Sequence, residues 1–276
     1  MNAQNGRSAD RGTAAVLRGC IAVAWLVASA CGAPALVKLP SGPATPATDA
    51  REAIAQAMSA CERVDSLTAE IAVSGSVSGQ RVRGRMIAGV AKPASARLEA
   101  VAPFGAPLFV FAARGTEATL LLPRDDRVVE HGRPAEVLEA ATGVPLDPQA
   151  LRATLTACAV DPSAEGARAI GDGWRIVHDG DGEVYLRRSP PAAPWRIVAT
   201  VRPDWRADYA DFQNALPRAI RLSGADRRRF DLRLALSQVE VNPALGVDAF
   251  TVNVPRSATP ITLDELRHSR PGVREN

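Results

Sequence analysis

From Leu67 to Leu122 apolar and polar residues alternate, and turn residues interrupt the pattern at short intervals. Such alternation sends successive side chains to opposite faces of an extended strand. Segments this close together leave no room for the crossover a parallel pair needs, so they predict an antiparallel meander. Leu67, Ala69, Ile71, Val73 and Val77 alternate with Thr68, Glu70, Ser74 and Ser76. After a Ser78-Gly79 turn, Val82, Gly84, Met86, Ala88 and Val90 alternate with Arg81, Arg83 and Arg85. Further strands are expected over 96–101, 108–113, 118–122 and 127–130, and then over 174–178, 184–188, 195–201, 219–223 and 229–241. In the last of these, Phe230, Leu232, Leu234 and Leu236 share a face that Val239 and Val241 miss by one residue, which demands a bulge near Ser237.

Helical patterns are few and short. Ala53, Ile54, Ala57, Met58 and Cys61 form a stripe after Asp49, which is placed to cap it. Residues 134–142 end at Gly143; residues 147–157 begin with Asp147 and Pro148 in the cap and first-turn positions; 262–267 is a short helical stretch in the tail. An antiparallel sheet needs one face covered. Three short helices do not cover this many strands lying flat, so the sheet is expected to curl around them and leave an apolar hollow. The expected class is therefore mainly β with an α lid, a curved antiparallel sheet in an unclosed half-barrel. A sandwich whose two sheets fill each other is the alternative.

Composition narrows the function. At 276 residues and 46% apolar, the chain supports a sizeable core. Aromatics make up 4% and histidines number three, too few for base-stacking platforms or multi-His metal sites, and no metal or other cofactor is expected. Arg7, Arg11 and Arg18 against Asp10 account for most of the net charge of +3, so the rest is nearly neutral and nucleic acid is not an expected partner. Asp125-Asp126 reads as a turn rather than a cation site, and His178-Asp179 lacks a nucleophile at a recognisable position, so no enzymatic activity is expected.

The N-terminus reads as an address. Three arginines precede the apolar run Cys20–Ala28, which is shorter than a membrane span, and the small residues Ser29, Ala30, Cys31 and Gly32 follow. Ala28-Ser29-Ala30-Cys31 resembles a bacterial lipobox, with Ala28 where that motif usually has Leu. The resemblance implies cleavage after residue 30 and diacylation of Cys31. An ordinary signal peptide with a chance cysteine is the alternative. Gly32, rather than Asp, after the cysteine implies the outer membrane by the sorting rule of such lipoproteins. Pro34, Pro40, Pro43 and Pro46 among small residues suit a semi-extended tether. Cys61 and Cys158 then remain as an even pair in an oxidising compartment, a disulfide candidate with two buried free thiols as the alternative.

A second resemblance lies between Arg97 and Cys158. Arg97-Leu98-Glu99 followed by Ala102-Pro103-Phe104-Gly105-Ala106-Pro107-Leu108-Phe109-Val110-Phe111, and then Leu138 through the Thr142-Gly143-Val144-Pro145 turn to Leu151-Arg152 and Leu155, resembles the LolB family of outer-membrane lipoprotein receptors. Weaker similarity continues through Leu216-Pro217 and Ile220–Leu222 to Phe230–Val239, while Phe250–Pro255 is similar to the final strand of LolA-like carriers. The resemblance implies a half-barrel that shelters lipoprotein acyl chains or other lipid, receives them from a LolA-like periplasmic carrier, and inserts them into the outer membrane. The chain would be a lipid-anchored monomer at the periplasmic face of that membrane. It further implies a membrane-inserting side chain at Phe104, between Pro103 and Gly105. For the acyl-chain cavity the expected lining is Ile71, Val73, Met86, Leu98, Val110, Leu120 and Leu234, with Leu138 and Leu151 from the lid. Periodicity alone does not separate such a lining from a filled core, and a structural envelope lipoprotein with a solid core is the alternative function. The expected organisation is a signal peptide over 1–30, a Pro/Ala-rich tether over 31–48, a lipid-binding half-barrel over 49–255 and a tail over 256–276.

Overall fold

A computed structural model describes residues 37–269, apart from 103, 162, 163 and 165. The expected signal segment and Cys31 lie outside the described residues. In chain order the first half comprises β1 (Thr45–Pro46), α1 (Ala50–Met58), β2 (Ser66–Val77), β3 (Gln80–Ala91), β4 (Ser95–Val101), β5 (Phe109–Arg114), β6 (Glu117–Leu122) and β7 (Arg127–Gly132). Two helices follow, α2 (Pro134–Thr142) and α3 (Pro148–Thr156). The second half comprises β8 (Ala167–Ile170), β9 (Trp174–Asp179), β10 (Gly182–Arg187), β11 (Arg196–Val201), β12 (Trp205–Ala210), β13 (Ala219–Gly224), β14 (Phe230–Val241), β15 (Thr259–Pro260) and α4 (Leu263–Ser269).

Among the described residues these strands form one sheet, in the order β1-β8-β9-β10-β11-β12-β13-β14-β2-β3-β4-β5-β6-β7-β15. Every pairing is antiparallel except β15 on β7. The sheet is not closed, and its continuity rules out the two facing sheets of a sandwich. Two meanders, β2 to β7 and β8 to β14, meet where β14 pairs with β2. The chain leaves the first at β7 and must enter the second at β8, near the opposite edge. α2 and α3 make that crossing over the concave face, α2 against β5, β6 and β7 and α3 against β3 and β4. The topology thus requires a lid.

Local chemistry sets the helix ends. The Asp147 carboxylate accepts from the Ala150 N–H at 2.7 Å, and Pro148 occupies the first helical position. α2 stops at Gly143, whose φ of +79° suits glycine, and a Cβ there would sit 2.4 Å from a Val77 methyl. The bulge expected near Ser237 is present as a register shift between Ser237 and Glu240, with Gln238 at φ +49°. Cys61 and Cys158 are bonded, which ties the turn after α1 to the end of α3. No helix among the described residues is long and apolar enough to cross a membrane.

Several expectations need correction. Asp49 makes no cap bond to α1; its carboxylate accepts from Arg175 Nε at 2.6 Å and Nη2 at 3.0 Å. The arginine is nearly buried and needs a counter-charge more than the helix needs a cap. The tether is docked from Val37 onward. The Val37 N–H donates to Asp208 at 3.0 Å, Arg206 donates to the Val37 carbonyl at 2.6 Å, and Thr45–Pro46 pairs with Ala169 and Arg168. A proline-rich segment can still complete a sheet edge, where missing N–H groups cost little. The tail is also part of the domain: Thr259–Pro260 pairs with β7, and Leu266 of α4 is buried. Residues 251–255 form no strand, although Val252 and Val254 pack on the outer face of the sheet.

The Asp49–Arg175 pair gives a pH prediction. Hydrogen bonding from Arg175 holds the Asp49 carboxyl below its ordinary value of 3.8. A folded pKa below the unfolded one adds stability at neutral pH, and this is lost as pH falls below about 3.8 through the folded pKa. Asp49→Asn should therefore be less stable than the parent at pH 7 in urea denaturation, and the difference should shrink below pH 4. A difference that is constant across that range would refute the linkage.

Candidate functional site: an apolar cavity under the lid

The concave face of the central strands is laid out in cross-strand rows. Leu236, Ile71, Met86, Ala100 and Phe109 share one row; Leu234, Val73 and Gly84 share the next; Leu232, Gly75 and Val82 share a third. Two rows carry a glycine, for different reasons. Gly75 has φ +142°, and a Cβ there would lie 2.0 Å from the Asp231 carbonyl oxygen, so no other residue fits. Gly84 has no atom within 4 Å of an added Cβ. The missing side chain at Gly84 leaves room beneath α2 and α3. The space is a cavity of about 440 Å³, roofed by Leu138, Ala141, Leu151 and Leu155. Its volume falls within the ~300–1,000 Å³ of ligand clefts.

Of the expected lining, Ile71, Val73, Met86, Leu98, Leu234, Leu138 and Leu151 surround this cavity. Two do not. Val110 belongs to the row of Glu99 and Ile87, hence to the outer face, where it packs with Leu121 and Val128 under Val252, Val254 and Ala258. β5 is apolar on both faces because both are covered, so alternation could not tell inside from outside. Leu120 faces inward in the row of Phe111 and Val129, but α2 packs against that part of the sheet and Leu120 is filled core. Gly84, Ala100, Phe109, Leu222 and Leu232 also line the cavity and were not expected to. A glycine inside a strand signals a bulge or an open space, and that signal was available for Gly84.

The mouth lies at one end of the sheet. β3 pairs with β4 only from Arg85 to Ala91, so among the described residues its stretch 80–84 has no strand on that side. The β4–β5 loop sits at the same end, between Val101, opposite Arg85, and Phe109, opposite Ala100. Arg124 shapes this loop by donating to the Phe104 carbonyl at 2.9 Å and the Ala106 carbonyl at 3.3 Å. Its backbone thus held, Phe104 stands 88% exposed, and Leu108 beside it is half exposed. Phe104 does not line the cavity, whereas Leu108 does.

The outer wall is charged. Arg221 donates to both Asp231 oxygens, at 2.9 and 2.7 Å; this lowers the Asp231 pKa and raises that of Arg221. A second cleft, about 710 Å³, lies beside the disulfide but carries Lys92, Arg152, Asp179 and Arg202, with Arg202 bound to Asp179. Those charges make it unsuited to hydrocarbon. Among the described residues no His, Cys, Asp and Glu group is arranged to hold a metal ion.

No protein-family profile matches the chain, and no curated protein matches it. Solved structures do. A LolA superfamily protein from Nitrosomonas europaea superposes with a TM-score of 0.53 at 15% identity, covering 72% of this chain and 97% of its own. A domain described as outer membrane lipoprotein-sorting, from Vibrio parahaemolyticus, reaches 0.45 at 10% identity over 72% and 96%. Lipoprotein LppX from Mycobacterium tuberculosis reaches 0.31 at 16% identity over 74% and 97%. Only the first exceeds 0.5, and what it shows is the fold.

Proposed function

The chain has the LolA-superfamily fold, an unclosed half-barrel with a helical lid, and we propose that it is a cell-envelope lipoprotein that binds acyl chains and helps insert lipoproteins into the outer membrane. In this reading Cys31 anchors it at the periplasmic face, a LolA-like carrier delivers the cargo, and the role is non-catalytic. The observation that carries the reading is the cavity: leucine, valine, methionine and alanine side chains enclose about 440 Å³ that the protein's own side chains leave unfilled. Hydrocarbon tails gain roughly 0.8 kcal/mol for each methylene withdrawn from water into such a space. A structural lipoprotein with a solid core has no use for it.

Phe104 supports the insertion step. An aromatic side chain 88% exposed on a loop beside the cavity mouth is poorly placed in water and well placed in a bilayer interface. The test is transfer of a fluorescent diacylated lipopeptide from the lipidated protein to liposomes. Phe104→Glu should bind the lipopeptide as the parent does, because Phe104 is outside the lining, while transfer falls about tenfold or more, matching the ~1.5–3 kcal/mol of one buried aromatic side chain. Undiminished transfer would remove Phe104 from the mechanism, and failure of the parent to bind the lipopeptide would remove lipoprotein cargo.

A further inference from the structure

The cavity opens beside arginines that have no carboxylate of their own. Alternation sends Arg81, Arg83 and Arg85 toward the outer face, yet all three contribute to the cavity lining; at Arg81 and Arg83 β3 runs unaccompanied past the end of β4, and Arg85 pairs with its last residue, Val101. The neighbouring acids are already engaged. Glu70 binds Arg85 at 2.7 Å and accepts from Gln238; Asp231 is held by Arg221; Glu139 binds Arg229 at 2.6 Å. Arg81 and Arg83 are exposed and have no hydrogen-bond or ion-pair partner among the described residues. Leaving unpaired cations against an otherwise apolar mouth brings no packing gain. It makes sense for a ligand with an apolar body and an anionic end.

We infer that the cavity takes an anionic phospholipid, with its acyl chains under the lid and its phosphate held by Arg81 and Arg83 at the open edge of β3. The inference rests on the acyl-chain reading of the cavity, not on lipoprotein as the cargo. A guanidinium meets phosphate oxygens in a bidentate fashion, and two of them form a collar that a zwitterionic headgroup satisfies less well.

The test uses the mature protein and two probes with identical pyrene-labelled acyl chains, a phosphatidylglycerol and a phosphatidylcholine. At low salt the phosphatidylglycerol should bind about tenfold more tightly, a preference that declines as salt is raised. The double variant Arg81→Gln, Arg83→Gln should lose the preference, its phosphatidylglycerol affinity falling several-fold more than its phosphatidylcholine affinity, because both lipids carry the phosphate but choline offsets its charge in one. Arg114→Gln, at an exposed arginine outside the cavity lining, should change neither affinity. Equal binding of the two probes by the parent, or a preference that survives the double variant, overturns the inference while leaving the acyl-chain reading intact. If neither probe binds, both fall. Tighter binding of a diacylated acidic lipopeptide than of the phosphatidylglycerol would assign the arginines to protein cargo and overturn the phospholipid. The salt dependence of the parent supplies an independent readout should the double variant misfold.

Discussion

Gly84→Phe is expected to leave the fold intact and weaken acyl-chain binding more than a hundredfold. Gly84 shares the concave face with Val82 and Met86, lines the cavity, and meets nothing within 4 Å of an added Cβ. Its φ is not in the left-handed region, so a larger residue brings no backbone strain. Exchanging a strand glycine for an aromatic residue favours the strand, if anything. The benzyl group would take the place of about four methylenes of ligand, worth ~3 kcal/mol, or more than a hundredfold in affinity. Thermal unfolding and titration with a pyrene-labelled fatty acid separate the two effects. A variant that folds normally and still binds at the parent's affinity would show that hydrocarbon does not occupy this space. That outcome would defeat the carrier reading more directly than charge placed at Val110 or Leu120, because neither lines the cavity.

Removing the disulfide should cost about 4–5 kcal/mol of stability in the chain-entropy account, since the bond closes a long loop in the unfolded chain. Cys61 and Cys158 are 97 positions apart. The bond also joins the turn after α1 to the end of α3, and Leu151 and Leu155 of α3 roof the cavity. The double variant Cys61→Ser, Cys158→Ser should therefore unfold at a much lower urea concentration, with a steeper slope because the unfolded chain without the cross-link exposes more surface. Lipid affinity should fall by less than stability does, because the roof is also held by its own apolar contacts. A loss under about 1 kcal/mol would mean that the unfolded chain is compact around these residues even without the bond. Should the variant fail to accumulate, adding dithiothreitol to the folded parent gives the same comparison.

Among the described residues, most strands and all four α-helices were legible because each depends on neighbours two to four residues away. β2 and β3 carry long alternation, β14 carries it from Phe230 to Leu236, and the slip at Ser237 marked its own bulge. β12 escaped notice although Ala207 and Tyr209 alternate with Arg206 and Asp208. The charged pair neutralises itself on the outer face, and Asp208 is buried there as it accepts from the Val37 N–H. β1 and β15 consist of two residues each, too few for any period to register.

The sequence by itself determined the antiparallel character of the sheet, the brevity of the helices, and the inward face of every strand with one polar side. It also placed Phe104 on a tight loop, where the structure leaves it exposed. Only the tertiary structure decided which inward residues border empty space. Leu98 and Leu120 carry the same local signal, but the first lines the cavity and the second lies in filled core under α2. It also decided that Val110 faces outward, that residues 37–48 and the tail close the two sheet edges, and that Arg81 and Arg83 stand at the mouth. Alternation follows from bonds along one chain. A void depends on how far β3 outruns β4 and where the crossing helices come to rest, and those are set by contacts between residues distant in sequence.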